Sequence, residues 1–216
     1  VGVNVFQWTL DYATCGLQQD QVTITLYDSS LPAANAGTDQ EFCSPSNSTN
    51  LSANAVSSPA MGIWSIVQGS GVIADPNNPN SLVENLVIGE NIFAWTVNNG
   101  NCLAEEDRVD TVSIFVFDET QSTANAGSDQ EICTPQSSVN LEANAITAPA
   151  IGTWNIVSGS GVISDPNNPN ATISNLNVGA TVLEWTVDNG NCSNGITSDT
   201  MSIFVFDENQ ALADAG

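Results

Sequence analysis

The side chains that could do chemistry in this chain are carboxylates and thiols. Its 216 residues include 24 Asp and Glu and five Cys, against one Lys or Arg and no His, so the formal net charge is -23. Without His, the chain cannot build a Ser-His-Asp triad, a Cys-His dyad or an imidazole base. Arg108 alone cannot neutralise nucleic-acid phosphates or anionic lipid headgroups. We therefore expect no nucleic-acid partner, and no enzyme chemistry beyond that of carboxylates and oxygen-bound metals.

The cysteines belong to an internal repeat. Residues 34–102 align with residues 124–192 at an offset of 90 without a gap, and 42 of the 69 aligned positions are identical. After the second Cys the offset falls to 89, because SIFVFDE at 113–119 returns at 202–208. A repeat of this period is the signature of a tandem array of similar units. The predicted domains are a fragment carrying the last strands of a preceding repeat (1–31), two complete repeats (32–121 and 122–210) and the start of a further repeat (211–216).

The elements that must position these residues are short strands. Apolar runs rich in β-branched and aromatic residues alternate with Pro, Gly and Asn clusters, which is typical of an antiparallel sandwich. Alternation within one run places Leu183, Trp185 and Val187 on its buried face, and Trp154 is expected to face Trp185 from the opposite sheet. The chain has no apolar run long enough for a transmembrane helix and no leader peptide in this segment, so any export signal is expected to lie outside it. The second repeat predicts seven strands, at 130–133, 139–145, 152–157, 162–164, 171–176, 181–187 and 200–206.

The order of motifs resembles a known family. ANAG-[ST]-DQE-x-C, W-x-IV-x-GSGVI-x-DPNNPN, WTV-x-NGNC and SIFVFDE occur twice in this order. They resemble the repeats of the giant SprB-type gliding-motility adhesins of Bacteroidota, and the ANAG-x-DQ opening is similar to PKD-like and Ig-like surface modules. The resemblance implies an all-β fold of tandem Ig-like (PKD-like) antiparallel β-sandwich repeats of about 90 residues. It also implies export by the gliding-associated route, display at the outer membrane and adhesion to a surface.

Acidic residues are expected to meet where one repeat follows another. In an Ig-like sandwich, the exit strand of one repeat brings its last residues to the loops at the entry end of the next. Oxygen ligands gathered there would suit Ca²⁺, whose binding would stiffen the junction. The alternative is that these residues only form turns and stay solvated, because Asp, Asn and Pro are turn formers. The candidate ligands are Asp118, Glu119, Asp129, Asp165 and Asp188.

The cysteines are expected to be structural. The count of two per complete repeat favours bonds within a repeat, Cys43 with Cys102 and Cys133 with Cys192, and an extracellular location would let them persist. A simple Ig-like trace, however, places the two Cys of a repeat near opposite ends of the sandwich. A bond between neighbouring repeats, Cys43 with Cys192, therefore stays open as the alternative.

Two further sets of residues are candidate surface features. The last strand of each complete repeat carries aromatic residues on its outer side, which either lie covered or contact a neighbouring chain; we expect both faces of the strand to be covered. The family resemblance also implies O-linked glycans on the Asp-Thr-Val and Asp-Thr-Met triplets. The aromatic residues are Phe115, Phe117, Phe204 and Phe206, and the glycosylation candidates are Thr111 and Thr200.

Two functions fit the sequence. The first is a structural and adhesive rod, whose repeats space and display an adhesin for attachment or gliding, with neighbouring repeats, other copies in a filament or surface polysaccharide as partners. The second is a lectin-like module whose outward aromatic rings stack on sugar. Burial of the five Trp side chains separates the two, because a buried ring cannot stack on a ligand. A glycosidase would need two carboxylates with separated pKa values in a cleft, and nothing singles out such a pair.

Overall fold

The computed structural model describes residues 1–209 and divides the chain into two compact units. The first contains Val1–Gln40 and Asn47–Phe115, and the second contains Glu41–Ser46 together with the residues from Val116 onward. Glu41–Ser46, which we call the tongue, belongs by sequence to the first complete repeat but clusters with the second unit. The predicted start of a further repeat, 211–216, lies outside the described residues.

The chain begins with a hairpin, and the sandwich of the first complete repeat follows it. Strands β1 (Gly2–Asp11) and β2 (Leu17–Leu26) pair antiparallel over their whole length. The strands that follow form a four-stranded sheet in the order β3–β9–β8–β5 and a three-stranded sheet in the order β4–β7–β6. Their bounds are β3 Gln40–Cys43, β4 Thr49–Asn50, β5 Met61–Gln68, β6 Val72–Ile73, β7 Leu82–Glu84, β8 Gly89–Asn98 and β9 Val109–Phe117.

The second complete repeat has the same two sheets. Its described residues form seven strands, in a four-stranded sheet ordered β10–β16–β15–β12 and a three-stranded sheet ordered β11–β14–β13. The first strand of the four-stranded sheet runs parallel to the last, and the other pairs are antiparallel. The all-β sandwich class is therefore confirmed. The bounds are β10 Gln130–Cys133, β11 Val139–Asn140, β12 Ile151–Ser158, β13 Val162–Ile163, β14 Thr172–Ser174, β15 Gly179–Asp188 and β16 Ile196–Phe206.

The core of the second unit follows the predicted alternation. Leu183, Trp185 and Val187 of β15 are at most 1% exposed, whereas Asp188 at the end of the strand is exposed. Each large side chain buried in this way contributes roughly 1.5–3 kcal/mol of hydrophobic stabilisation. The face of β15 predicted to be buried is thus the face that builds the core.

The two tryptophans of a repeat do not face each other across the sandwich, so the expected position of Trp154 was wrong. Trp154 and Trp185 are register partners on neighbouring strands of one sheet, with ring centroids 5.1 Å apart and planes inclined by 47°. The first repeat contains the same pair, Trp64 with Trp95. Strand alternation fixes the face on which a side chain lies but not the strand that pairs beside it.

The DPNNPN loop closes over this tryptophan strand. Trp154 donates its backbone N–H to Pro166 O at 2.8 Å and its indole Nε1–H to Pro169 O at 3.3 Å. Asn167 Nδ2 donates to Gly152 O at 2.8 Å, while the Asp165 carboxylate accepts the Asn167 N–H at 3.0 Å. The loop therefore supplies hydrogen bonds that an edge strand would otherwise lack, which gives the motif a structural role.

The ANAG-x-DQ opening is held against the last strand by two carboxylates. Asp199 on β16 accepts the N–H of the fully buried Ala126 at 2.9 Å, and Asp129 accepts the N–H of Ser202 at 2.8 Å. Gly127 has φ +85° and lies so close to Glu142 O that a β-carbon would be 2.7 Å from it. This arrangement explains why Ala, Gly and Asp recur at these positions of the motif.

No helix in the described range 1–209 is long and apolar enough to cross a membrane.

Candidate functional site

The candidate site is the place where the tongue meets the loop between β15 and β16. The tongue contains Glu41–Cys43 of β3 and the three residues that follow it, and Ser44 N–H donates to Phe117 O at 2.9 Å. The Glu119 N–H in turn donates to Ser44 Oγ at 3.0 Å. The tongue is thereby held along the end of β9, with its cysteine turned towards the loop of residues 189–195, which we call the acceptor loop.

A disulfide joins the tongue to the acceptor loop. Cys43 and Cys192 are bonded; their Cα atoms are 5.5 Å apart, and their sequence separation is 149 residues. Cys102 and Cys133 are unbonded and exposed, as is Cys15. The bond therefore follows the alternative between neighbouring repeats, and the favoured pairs within a repeat were wrong.

The strand pairing explains why the two cysteines of one repeat cannot meet. Cys133 lies beside Phe206 at the end of β16, whereas Cys192 lies in the loop just before β16 begins at Ile196. Ten residues of extended strand separate these two ends, which is about 33 Å. A disulfide requires Cα atoms within about 7 Å. The count of two cysteines per repeat was correct, but the parallel course of β10 and β16 forces each cysteine to find a partner elsewhere.

The acceptor loop is shaped to receive the residues at the end of β9. Gly190 has φ +58°, and a β-carbon on it would lie 2.6 Å from the Phe117 ring, so only glycine fits beneath the ring. The buried Asn189 donates its Nδ2–H to Asp118 O at 2.9 Å. An aromatic ring over a glycine and an amide bound to a backbone carbonyl thus hold the loop in place around the disulfide.

Polar side chains surround the disulfide. Asn191 Nδ2 donates to the Glu41 carboxylate at 3.0 Å, and the Ser193 hydroxyl donates to the Glu119 carboxylate. The carboxylate of Glu119 also lies within 4.8 Å of both disulfide sulfurs. These two sulfur atoms are bonded to each other and are therefore not thiolate ligands for a metal. The side chains around them form a disulfide flanked by hydrogen bonds.

Four of the five candidate calcium ligands lie at this end of the second unit, each bonded to its own turn or to the acceptor loop. Asp165 accepts the Asn167 N–H, and Asp188 accepts the Gly190 N–H at 3.0 Å. Asp118 accepts from Thr120, and Glu119 accepts from Ser193. Within residues 1–209, no three carboxylates come within 4.8 Å of one another. Each of these four carboxylates thus acts as an acceptor in a turn or loop, and the shared cation stays a prediction.

Asp129 does not belong to this group. Its carboxylate accepts the N–H of Ser202, six residues along β16 from Ile196. That separation is about 20 Å of extended strand. Asp129 was placed in the set because it opens the repeat in the sequence, but its strand runs parallel to β16 and starts well inside the sheet.

Two carboxyl groups that follow the ends of strands have pKa values below the ordinary one. The pKa of Asp118 lies below its ordinary value, first because the Thr120 hydroxyl donates to the carboxylate at 2.7 Å and second because the Thr120 N–H donates at 2.8 Å. The pKa of Asp28 is lowered in the same way by the hydroxyl and N–H of Ser30. Donors to a carboxylate favour its charged form.

The remaining candidates lie on the outer face of the last strands. Thr111 on β9 and Thr200 on β16 are exposed, so both hydroxyls are accessible. Phe117 is 8% exposed where it packs against the acceptor loop, as expected for a covered strand, but Phe204 and Phe206 are 40% and 43% exposed, with ring centroids 4.5 Å apart. The expectation of a strand covered on both faces thus holds for Phe117 and was wrong for the second repeat.

Sequence reasoning missed the partners of these residues. The single cation, Arg108, donates to Leu103 O and Gly100 O and pairs with Glu105 at 2.9 Å, so it closes the loop between β8 and β9. The pairing of Asn189 with a backbone carbonyl was not foreseen either. The signal for it was present, because the Asn-Gly dipeptide recurs before both Cys102 and Cys192.

Comparisons with known proteins give fold-level similarity. No protein-family model and no curated protein matches the chain. The PKD domain from KIAA 1837 protein is 22% identical, with a TM-score of 0.36 over 43% of this chain and 94% of that one. The PKD domain from human KIAA0319 is 23% identical, with a TM-score of 0.34 over 43% and 88%. Rst D1-D2 is 9% identical, with a TM-score of 0.38 over 80% and 99%.

Proposed function

We propose that this chain is the structural and adhesive repeat region of a long bacterial cell-surface filament, spacing and displaying an adhesin for attachment or gliding. The observation that carries the proposal is the disulfide between Cys43 and Cys192, which bonds a segment of one sequence repeat to a loop of the next. Such a bond adds a second covalent connection between consecutive sequence repeats, which suits a chain that acts as a series of modules.

The distribution of identical residues between the repeats supports the same role. The positions shared by both repeats include the Trp pair, the DPNNPN loop that closes over it and the Asp that holds the ANAG segment. All of these side chains serve folding. Near-identical repeats that retain folding residues suit a spacer, whose contribution grows with the number of copies.

An extracellular location at the bacterial surface belongs to this proposal. Disulfides form and persist in oxidising environments, and this chain uses one to tie together residues far apart in sequence. The exposed Thr111 and Thr200 are then available for the O-linked glycans that the family resemblance implies. Glycopeptide analysis of the natively purified protein tests this, and unmodified peptides covering both threonines would remove glycosylation from the proposal.

The lectin alternative is weakened by the tryptophans. Trp64, Trp95, Trp154 and Trp185 are at most 2% exposed and cannot stack on sugar. Trp8 is 69% exposed, but it occupies the sequence position of Trp95, which is buried where the sandwich around it is complete. Phe204 and Phe206 are exposed aromatic residues of a complete repeat, and a sugar could still be bound through them.

The spacer and the lectin are separated by one pair of experiments. The chain is displayed on cells between a membrane anchor and a tip domain of known ligand, with one, two or three copies of residues 122–210 inserted. A spacer extends the capture distance by the same increment per copy, and a glycan array probed with the chain alone stays blank. Retention on a glycan that is lost in a Phe204→Ser, Phe206→Ser variant would instead support the lectin.

A further inference from the structure

The tongue and the acceptor loop each occur twice in the described residues, but they meet only once. Cys133 lies in a second tongue-like segment with the same pattern, Glu-x-Cys-[ST]-Pro, at 131–135. The Thr134 N–H donates to Phe206 O at 2.9 Å and Thr134 Oγ1 accepts the Glu208 N–H at 3.1 Å, as Ser44 does with Phe117 and Glu119. This second tongue is therefore held in the same conformation by its own repeat.

A second acceptor loop is present around Cys102 in the first unit. Asn99 Nδ2 donates to Asp28 O at 2.7 Å, as Asn189 does to Asp118. Gly100 has φ +57°, and a β-carbon on it would lie 2.7 Å from the Tyr27 ring. Gly190 makes the same close approach to the Phe117 ring. The loop thus has the shape of its counterpart and already holds the exit of the strand before it, but its cysteine is exposed.

The surfaces around Cys102 and Cys133 are exposed, whereas the equivalent surfaces around Cys192 and Cys43 are covered by their linkage. Cys192 is 7% exposed when bonded, whereas Cys102 and Cys133 are both exposed. Phe117 is 8% exposed where it packs against its acceptor loop, whereas its counterpart Phe206, beside Cys133, is 43% exposed. The acceptor loop around Cys102 has no tongue against it, and the tongue around Cys133 has no acceptor loop against it.

We propose that Cys102 and Cys133 each form a disulfide of the Cys43–Cys192 kind with a flanking repeat of the same type. Cys102 bonds to the tongue cysteine of a preceding repeat, and Cys133 bonds to the acceptor-loop cysteine of a following one. The inference deepens the proposed spacer function and rests on it, because it requires repeats on both sides. Under this proposal, a disulfide links each repeat of the array to the next one.

The bond forms by thiol–disulfide exchange with a disulfide oxidant of the extracytoplasmic compartment. One protein thiolate attacks the oxidant disulfide and gives a mixed disulfide, and the second thiolate displaces the oxidant sulfur. Two protein thiols thereby lose two protons and two electrons, and the oxidant is reduced to a dithiol. Docking of the tongue on the acceptor loop places the second thiol next to the first.

The test for Cys133 uses the full chain with one repeat added. Ala213–Gly216 corresponds in sequence to Ala124–Gly127, so a copy of residues 128–209 appended after Gly216 continues the array in register. After folding with oxidised glutathione, non-reducing peptide mapping is expected to link Cys133 to the appended counterpart of Cys192. Alkylation of Cys133 is expected to fall at least ~10-fold relative to the original chain.

Internal controls decide the outcome. Cys15 and Cys102 gain no partner in this chain and are expected to remain alkylated, and Cys192→Ser in the appended copy is expected to restore alkylation of Cys133. The Cys43–Cys192 link, mapped in the same digest, reports that the original units have folded. With that link intact, an alkylated Cys133, or its bonding to any other cysteine, overturns the proposal.

The test for Cys102 is the mirror image. Residues 32–87 placed before Val1 complete the preceding repeat, because Val1 and Gly2 correspond to Ile88 and Gly89. The added counterpart of Cys43 is expected to bond to Cys102, while Cys133 stays free. These mapping experiments do not depend on adhesion or reach, so a chain that forms both bonds but fails to extend the capture distance would remove the spacer function alone.

Discussion

Gly152 lies against the indole of Trp185, and a β-carbon on Gly152 would be 2.2 Å from the ring. Gly62 and Trp95 repeat this relationship at 2.0 Å. Both glycines have ordinary strand conformations, so the requirement comes from the neighbouring ring. In each repeat the indole occupies the volume that a side chain at the glycine position of the neighbouring strand would need.

Gly152→Ala is therefore expected to destabilise the second unit. The added methyl group must displace a fully buried ring, and overpacking of this kind costs roughly 1–3 kcal/mol. Chemical denaturation followed by tryptophan fluorescence measures the change. Asn155→Ala, at an exposed position of the same strand, is the matched control and is expected to alter the midpoint little. Equal midpoints for the two variants would mean that the ring has room to move.

Cys43→Ser is expected to lower the stability of the second unit. Closing a loop of 149 residues is worth roughly 5 kcal/mol in the chain-entropy model, and the measured loss is expected to be smaller where the unfolded chain retains structure. Cys133→Ser is the control, because Cys133 lies in the same sequence pattern but is unbonded in this chain. Denaturation under non-reducing conditions should distinguish the two. A reductant should bring the original chain to the midpoint of Cys43→Ser.

Asp199→Ala is expected to loosen the ANAG segment. The change leaves the N–H of the buried Ala126 without its acceptor, which costs about 1–3 kcal/mol. Glu131→Ala removes the same charge from an exposed position of β10 and is expected to be nearly neutral. Hydrogen exchange at the Ala126 amide provides the local measurement. Unchanged protection there would show that Asp199 is dispensable.

Ca²⁺ is expected to stabilise the chain no more than NaCl of equal ionic strength. Asp118, Asp165 and Asp188 each accept a hydrogen bond from their own turn, and the chain's charge of -23 makes general screening effective with any salt. Calorimetry in Ca²⁺, and in chelator plus NaCl, makes the comparison. A melting temperature that rises in Ca²⁺ but not in NaCl, and that does not rise in the Asp188→Asn variant, would instead support a cation bound by these carboxylates.

Thr120→Ala is expected to raise the pKa of Asp118 towards its ordinary value. The folded pKa lies below the unfolded one, so this carboxylate contributes stability above the unfolded pKa and loses that contribution as the pH falls through the folded pKa. Removing the hydroxyl deletes the largest cause of the shift and leaves the N–H. Carboxyl NMR titration measures the change. Asp28, with Ser30 intact, should titrate as before; an unmoved Asp118 would show that the hydroxyl is not the cause.

Local sequence patterns located the strands, although the predicted run 139–145 is a strand only at Val139–Asn140. They failed where the answer depended on which strands pair. Leu183 and Trp185 were placed correctly because alternation depends only on the strand itself. Trp154 was assigned to the wrong sheet, and the cysteines to the wrong partners, because both depend on long-range pairing. Cys133 lies at the far end of the sheet from Cys192 because β10 runs parallel to β16. A hydrophobic pattern does not predict whether two strands pair parallel or antiparallel.

The site itself was predicted in part. The sequence indicated that the end of β9 and the loop holding Asp188 share one end of a repeat, and the bond from Asn189 to Asp118 O agrees with that placement. It did not indicate that Phe117 lies over Gly190. Asn-Gly reads as an ordinary turn, because the ring that requires the glycine is more than 70 positions away in the chain.

The Cys43–Cys192 bond also decides how the chain carries a load. Tension applied at the two termini passes from Cys43 through the sulfur–sulfur bond to Cys192, so the residues between them bear none of it. At about 3.4 Å per extended residue, roughly 500 Å of contour stays hidden even if the enclosed sheets unfold. Cys133 lies inside this loop, so a bond from it to a following repeat would make successive loops overlap. An array linked in this way keeps its reach when individual modules melt, because covalent connectivity sets its maximum extension.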